Sequence, residues 1–332
     1  MNEKFNLIIN LVLKGKKRIG VSIIGAIDNK VFSMNKTQNI LDIDTQEIKK
    51  LSFEKKGYFL HRIFYFFVRL VVILFPKFLI SFIFIKPNHE TRMARKHKGK
   101  APIMEFIYTY KRKNLFTKNF FKNALYNIML NVYNAKAVRN RAKIEVYLLR
   151  HFLQKIKKNR LNVLSIASGS GRSIFKVLYN KNYNKKINIT LVDKDKKALL
   201  YSKELLKKFN LHLNKDYSFN FINETISNIG SKLKNKQDIV EVFGLLDYYD
   251  YNKSVDILKN AFGILNKRGV LIICNVIENK EQIILDKVFQ WKLFYKSKEE
   301  LMSIVYAAGF NKDKTILIKE QLDIYNIIVS QK

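Results

Sequence analysis

The chain has 332 residues, 48% of them hydrophobic and 13% aromatic, which excludes a disordered polypeptide and allows one large domain or two modest ones. A single cysteine, Cys274, excludes an internal disulfide framework, and within "GVLIICNV" it reads as a small buried hydrophobe. The formal charge is +35, and between Tyr58 and Arg160 alone 23 lysines and arginines face three acids, a basic field that attracts a polyanion such as nucleic acid or an anionic lipid surface.

Residues 1–56 carry the weakest pattern. "LIINLVL" (7–13) is apolar, but the basic "KGKKR" follows it without a small-residue cleavage site, which argues against a secretory signal. "RIGVSIIGAIDNKVFSM" reads as two short strands around Asp28 and Asn29. Residues 57–113 differ in kind. From Ile63 to Phe84 the apolar run is long enough to span a bilayer, yet Arg69 and Lys77 lie within it and Pro76 breaks it. Arg62, Tyr65 and Arg69 form one polar stripe on an apolar helix, which Lys77 and Ser81 continue. Two short helices lying in a membrane interface suit this better than a span. The other reading is a pair of core helices with arginines at the rim. "TRMARKHKGK" (91–100) follows in the manner of a juxtamembrane polybasic segment. The expected partner is therefore an anionic membrane surface, with the protein cytoplasmic and peripheral or monotopic at the inner face.

A helical lead-in occupies residues 114–158, with apolar residues at three- and four-residue spacing from 115 to 157. From 159 to the end, strands alternate with helices. "LNVLSIA", "INITLVD", "YSFNFIN", "DIVEVFG" and "GVLIICNV" read as strands, and "KTILIKE" and "DIYNIIVS" close the chain as an antiparallel hairpin. Ser297 and Glu300 form a capping box before the last helix. Repeated βα units predict an α/β fold with a doubly wound, mostly parallel seven-stranded sheet.

"LSIASGSGRSIF" (164–175) closes the first strand of that sheet, where a ligand would bind. Gly169 and Gly171 allow backbone N–H groups to approach a ligand, but no third glycine completes a dinucleotide fingerprint. A tight turn with a purely structural role is the alternative. Asp193, ending the second strand, can accept hydrogen bonds from both ribose hydroxyls, or cap the following helix. Turn and acid together indicate a nucleoside site. Asn223 ends the third strand, where an amide could read an adenine edge, and Asp247, Tyr248, Tyr249 and Asp250 crowd the rim after the fourth. Arg172, just past the turn, is either a ligand contact or an unfavourably placed helix-start charge.

"VLSIASGSGR" resembles the first motif of class I S-adenosylmethionine-dependent methyltransferases, with Ala167 and Ser168 where many members carry an acid or Leu-Asp. The Asp193 strand, "DIVEVFGLLDYYD" and "AFGILNKRGVLIICNV" are similar to the later motifs, so the resemblance covers residues 130–332. "NAKAVRNRAKI", "FGLLDYYD" and "FQWKLFYKSKEELMSIVYAAGF" resemble one bacterial subgroup, which includes enzymes credited with making the extracellular signal 3-hydroxypalmitic acid methyl ester. The resemblance implies S-adenosylmethionine as cofactor, with Ala167, Ser168, Gly169 and Gly171 beneath its methionine and ribose. It implies Asp193 on the ribose, Asn223 near adenine, and Gly244 and Leu245 beside the methyl-transfer region. Arg139 and Arg141 would pair with a carboxylate of cofactor or substrate, or else form a basic helix face. Trp291 matches the subgroup and reads as a core or lid aromatic.

Methyl transfer from a sulfonium is an in-line displacement. A carboxylate acceptor is already ionised and needs no base, whereas a hydroxyl would need one, with Asp247 or Tyr248 as candidates. No histidine ends a strand, since His151 lies in the preceding helix and His212 in a loop. The expected acceptor is a lipid-like or hydrophobic carboxylate or hydroxyl compound. The alternatives are a nucleic-acid methyltransferase and a non-catalytic membrane-bound scaffold. No metal is implied.

Overall fold

The computed structural model describes residues 40–332 except 58, 88, 114–117 and 180, with no side chains at 59–62, 64, 90 and 121. The two strands read around Asp28 lie outside the described residues. Helices come first: α1 (Thr45–Lys50), α2 (Phe59–Leu74), α3 (Lys77–Ile80, continued by a π turn, Ser81–Ile85), α4 (His89–Lys96), α5 (Ala101–Tyr108), α6 (Phe120–Leu130) and α7 (Tyr133–Lys155). The α/β part follows as β1 (Arg160–Ile166), α8 (Arg172–Leu178), β2 (Lys186–Val192), α9 (Lys196–Lys208), β3 (Tyr217–Ile222), α10 (Ile226–Ile229), β4 (Gln237–Phe243), α11 (Tyr251–Ile264), β5 (Leu265–Val276), α12 (Gln282–Ile284, continued by a π turn, Leu285–Phe289), α13 (Lys298–Ala307), β6 (Thr315–Lys319) and β7 (Tyr325–Gln331).

The seven strands form one sheet in the order β3-β2-β1-β4-β5-β7-β6. β1 to β5 are parallel, and the β6–β7 hairpin adds antiparallel to β5. Strand alternation splits the core into two layers. Leu161, Val163, Ile239, Ile272 and Cys274 pack toward α7 and α8, whereas Leu164, Ile166, Val240 and Val242 pack toward α11 and α13. Chain order reverses between β1 and β4, so the crevice at their carboxyl ends is where a ligand would bind.

The helical stretch expected from 115 to 157 is two helices. Val132 is extended (φ −56°, ψ 149°), and α7 restarts beyond it on a cap supplied from elsewhere in the chain. The Glu281 carboxylate accepts the Tyr133 and Asn134 N–H groups at 2.8 and 2.7 Å, satisfying two orphan donors of the helix start. Spacing alone hid this break, because the apolar period runs through it.

Around Pro76 the expected pair of helices forms, with its orientation set by the same acid. Tyr65, Val68 and Val72 face inward, the Tyr65 hydroxyl donates to the Ile128 carbonyl at 2.8 Å, and Arg69 is drawn toward Glu281. Of the polar stripe, Tyr65 is buried and Arg69 half-buried while Lys77 is exposed, and the apolar residues Phe66, Phe67, Leu74, Phe78 and Phe82 are all more than half exposed. Each helix thus buries one face in the core and leaves the other exposed. Among the described residues no helix is long and apolar enough to cross a membrane.

Candidate active site

A cavity of about 860 Å³ opens at the carboxyl ends of β1, β2 and β4. Its floor is the turn after β1, in which Ala167, Gly169 and Gly171 take left-handed φ values of 53°, 54° and 66°. The alanine pays for this with backbone strain of the kind that collects at ligand sites. Ser168 N–H donates to the Val192 carbonyl at 3.0 Å, and Gly169 N–H donates to Asp193 Oδ2 at 2.9 Å. Asp193 Oδ1 accepts the Asp195 N–H at 2.8 Å, so this carboxylate ties the turn to the end of β2. Burial raises its pKa, opposed by those two N–H donors, and each oxygen keeps a further acceptor site.

At the end of β4, Gly244 (φ 78°) lets a guanidinium in: a Cβ there would stand 2.9 Å from Arg141 Nη2. Arg141 is buried, its Nη1 donates to Cys274 Sγ at 3.0 Å, and the ion lies 4.4 Å from the Tyr325 ring centre. Asp247 Oδ1 accepts the Val276 N–H at 2.8 Å, and its Oδ2 lies 3.7 Å from Arg141 Nη1. Buried Lys296 donates to the carbonyls of Leu246 and Tyr249, both at 2.8 Å, fixing the loop that carries Asp247 and Tyr248. The Tyr248 hydroxyl accepts from Trp291 Nε1 at 3.2 Å, which gives Trp291 a place in the wall. Burial, then the neighbouring Asp247, raises the Tyr248 pKa, so the phenol stays protonated.

The roof comes from residues that the sequence assigned to a separate membrane region. Gly99 and α5 cover the cavity, and buried Glu105 anchors them. Its carboxylate accepts from Ser170 Oγ at 2.5 Å, from Tyr201 Oη at 3.2 Å and from the Arg172 guanidinium. Arg172 thus has a structural partner, and the unfavourable helix-start charge is neutralised across the cavity.

Of the residues expected at the site, Ala167, Ser168, Gly169, Gly171, Asp193, Gly244, Leu245, Asp247, Tyr248 and Arg141 line the cavity. Two do not. The carboxylate that Arg139 meets is the chain's own Glu54, and its Nη2 also donates to the Leu130 carbonyl at 2.9 Å. Asn223 spends its amide on the carbonyls of Asp193 and Lys194 at 2.9 and 3.0 Å, pinning the β2 and β3 ends together, while Glu224 to Ser227 supply the wall there. Sequence reasoning missed Glu145 on α7 and Glu241 on β4, two buried carboxyls in contact at the cavity floor. Their signal was an acid inside an apolar run, "AKIEVYLL" and "DIVEVFG".

Three buried polar atoms at the cavity have no hydrogen-bond partner among the described residues: Arg141 Nε, Ser168 Oγ and Glu241 Oε2. Native interiors rarely leave such groups unpaired, so they point to a ligand with both donors and acceptors. Asp193 lines the same cavity at the turn. An adenosyl amino acid fits this donor set, and the volume lies near the upper end of the ~300–1,000 Å³ usual for ligand pockets.

Strand order, left-handed glycine turn and strand-end acid define the frame of a class I methyltransferase. Residues 157–328 match the family model described as "Methyltransferase domain", and the chain belongs to that family. No curated protein matches the sequence. Among solved structures, the fold is similar to a possible exported protein from Bordetella parapertussis (TM-score 0.58, 13% identity, covering 71% of this chain and 80% of that one). It is also similar to magnesium protoporphyrin IX methyltransferase from Synechocystis PCC 6803, solved with bound SAH (TM-score 0.51, 13% identity, 73% and 99% covered).

Proposed function

We propose that the acceptor of this S-adenosylmethionine-dependent methyltransferase is a lipid-like, hydrophobic carboxylate or hydroxyl compound taken up at an anionic membrane surface. The division of the cavity wall carries this reading. The unpaired polar atoms of Ser168 and Glu241 belong to β1 and β4 and that of Arg141 to α7 beside Gly244, whereas Ile103, Ile107, Met129, Leu285, Phe289 and Leu293 make the opposite wall apolar. A 3-hydroxy fatty acid, the acceptor implied by the resemblance to the 3-hydroxypalmitic acid methyl ester subgroup, combines an apolar chain with a carboxylate.

When bound, S-adenosylmethionine supplies an electrophilic methyl group. The chain's own residues align and exclude water. Asp193 and the turn would hold the nucleoside end, Arg141 would face a carboxylate, and Gly244 and Leu245 would border the transfer. Neither candidate base is free for that task. Asp247 braces the Val276 N–H beside Arg141, and the Tyr248 phenol stays protonated. A carboxylate acceptor needs no base, which favours methyl-ester formation over ether formation.

Membrane docking rests on the exposed apolar face of α2 and α3, flanked by exposed Lys77, Lys86, Arg92 and Lys96. Lys287 Nζ donates to the Ile73 carbonyl at 2.8 Å, so the segment that supplies Leu285 and Phe289 to the cavity also holds α2. This arrangement supports peripheral attachment at the inner face.

Incubation with labelled S-adenosylmethionine, a lipid extract and total RNA tests the reading. Label in an alkali-labile lipid is expected. Label in RNA would make the basic face a nucleic-acid site, and a protein that binds no cofactor at millimolar concentration would be a scaffold.

A further inference from the structure

The contact between Glu145 and Glu241 has no use in the chemistry described so far. α7 carries Arg141 and Glu145 one turn apart, and β4 sets Glu241 opposite Ser165 of β1. Both carboxyls are buried, and Ser173 and Ser165 hydrogen-bond to Glu145 and Glu241 respectively. Two carboxyls in contact away from water cannot both be ionised unless a cation joins them. The groups around the pair do not supply one. Arg141 is turned to Gly244 and Cys274, exposed Lys176 on α8 acts only through space, and Tyr108 on α5 and Cys274 on β5 are neutral. Glu241 Oε2 remains unpaired in a cavity that also holds the unpaired Arg141 Nε.

We propose that the Glu145–Glu241 pair receives the α-ammonium of the cofactor's amino-acid end, with Arg141 taking its carboxylate, and that the pair gives up its shared proton as the cofactor binds. The inference rests on S-adenosylmethionine being the cofactor. No covalent bond changes: the ammonium keeps its three protons, and the proton between the carboxyls leaves to solvent. Burial pushes the Glu145 pKa up to about 7 and also raises that of Glu241 well above the usual carboxylate range, so the exchange falls at neutral pH. Cofactor binding is therefore linked to pH through the amino-acid end alone.

Calorimetry on the full-length protein tests this, in pairs of buffers with different ionisation enthalpies between pH 6.0 and 7.5. That range lies below the α-amino ionisation of the cofactor itself, about 7.7–8.0 for such groups. Net release approaching one proton per S-adenosylmethionine is expected, with affinity rising up to about tenfold per pH unit. 5′-Methylthioadenosine lacks the amino-acid end and should bind without proton exchange at all these pH values. Glu241→Gln and Glu145→Gln each put a neutral amide of the same shape into the pair, leaving one carboxyl beside a hydrogen-bond donor, so both should fold. Each should weaken S-adenosylmethionine about tenfold at pH 7.5 and leave methylthioadenosine unchanged, and the double variant should release no proton. PH-independent binding by the wild type, or equal losses for both ligands in the variants, would overturn the proposal. A wild type that binds neither ligand would remove the cofactor reading and the proposal with it.

Discussion

The two walls of the cavity are built on opposite principles. One wall concentrates buried charge: Asp193, Glu241 and Asp247 sit at or near strand ends and Arg141 and Glu145 join them from α7, held by backbone N–H groups and by one another. The helical side is apolar, and its main polar link is Glu105, which reaches across to Ser170, Arg172 and Tyr201. On the proposed reading, the difference teaches that cofactor and acceptor would be handled by separate parts of the chain. The strand ends and α7 present charge, and a helical cover brings an apolar chamber of the kind the proposed acceptor would need.

The largest expected effect falls on the sheet side and is read by pH. With the Glu145 pKa pushed up from 4.5 to about 7, the native state without cofactor binds more protons than the unfolded state in that interval. The pair's stabilising contribution is full below about pH 4.5 and is lost as pH rises through about 7, a change of about 3 kcal/mol. Chemical denaturation across pH 4.5–8 should show this slope, and Glu145→Gln should flatten it. A flat wild-type profile would mean that the carboxyl pair is no more protonated in the native state than in the unfolded one.

Asp193→Ala comes next. Losing the acceptor for the Gly169 and Asp195 N–H groups, along with any contact to the nucleoside, should weaken S-adenosylmethionine by about 100-fold, or about 2.7 kcal/mol. Calorimetry reads this directly, and affinity within threefold of wild type would show that the turn holds without its acid.

Glu105→Gln separates the two walls. It should lower stability by about 2 kcal/mol, because a buried charge-assisted contact to Arg172 is lost. The acceptor KM should rise about tenfold while cofactor affinity changes little. Equal changes in both would mean that the roof also shapes the cofactor site.

The smallest effect concerns the outer face of the same helical part. Phe78→Ser, at a side chain 70% exposed, should change stability by no more than about 0.5 kcal/mol and leave cofactor affinity alone. Its binding to anionic vesicles should fall several-fold in a sedimentation assay. Unchanged sedimentation would point the apolar face toward a different occupant.

Strands and the turn were legible because their signals are local. Alternation in "INITLVD", the glycine spacing after β1 and the acid closing β2 all depend on neighbours in sequence. Asn223 was misplaced because a strand end does not fix which way an amide points, and two nearby carbonyls claimed it. Arg139 and Arg141 look alike in "RNR", yet two positions along a helix turn them about 200° apart, one to Glu54 and one to the cavity. Glu105, Glu145 and Glu241 were invisible as site residues because each meets its partners only through long-range packing.

The amino-acid sequence by itself determined the α/β architecture, the hairpin at the sheet edge and the glycine turn facing an acid, since periodicity and turn chemistry act over a few residues. Tertiary structure decided that residues 89–110 roof the cavity, that α2 turns its polar stripe inward, and that two carboxyls meet beside the turn. Those outcomes depend on which buried charge finds a partner, and the partners lie between 65 (Glu105 and Ser170) and 212 (Arg69 and Glu281) residues apart in the chain.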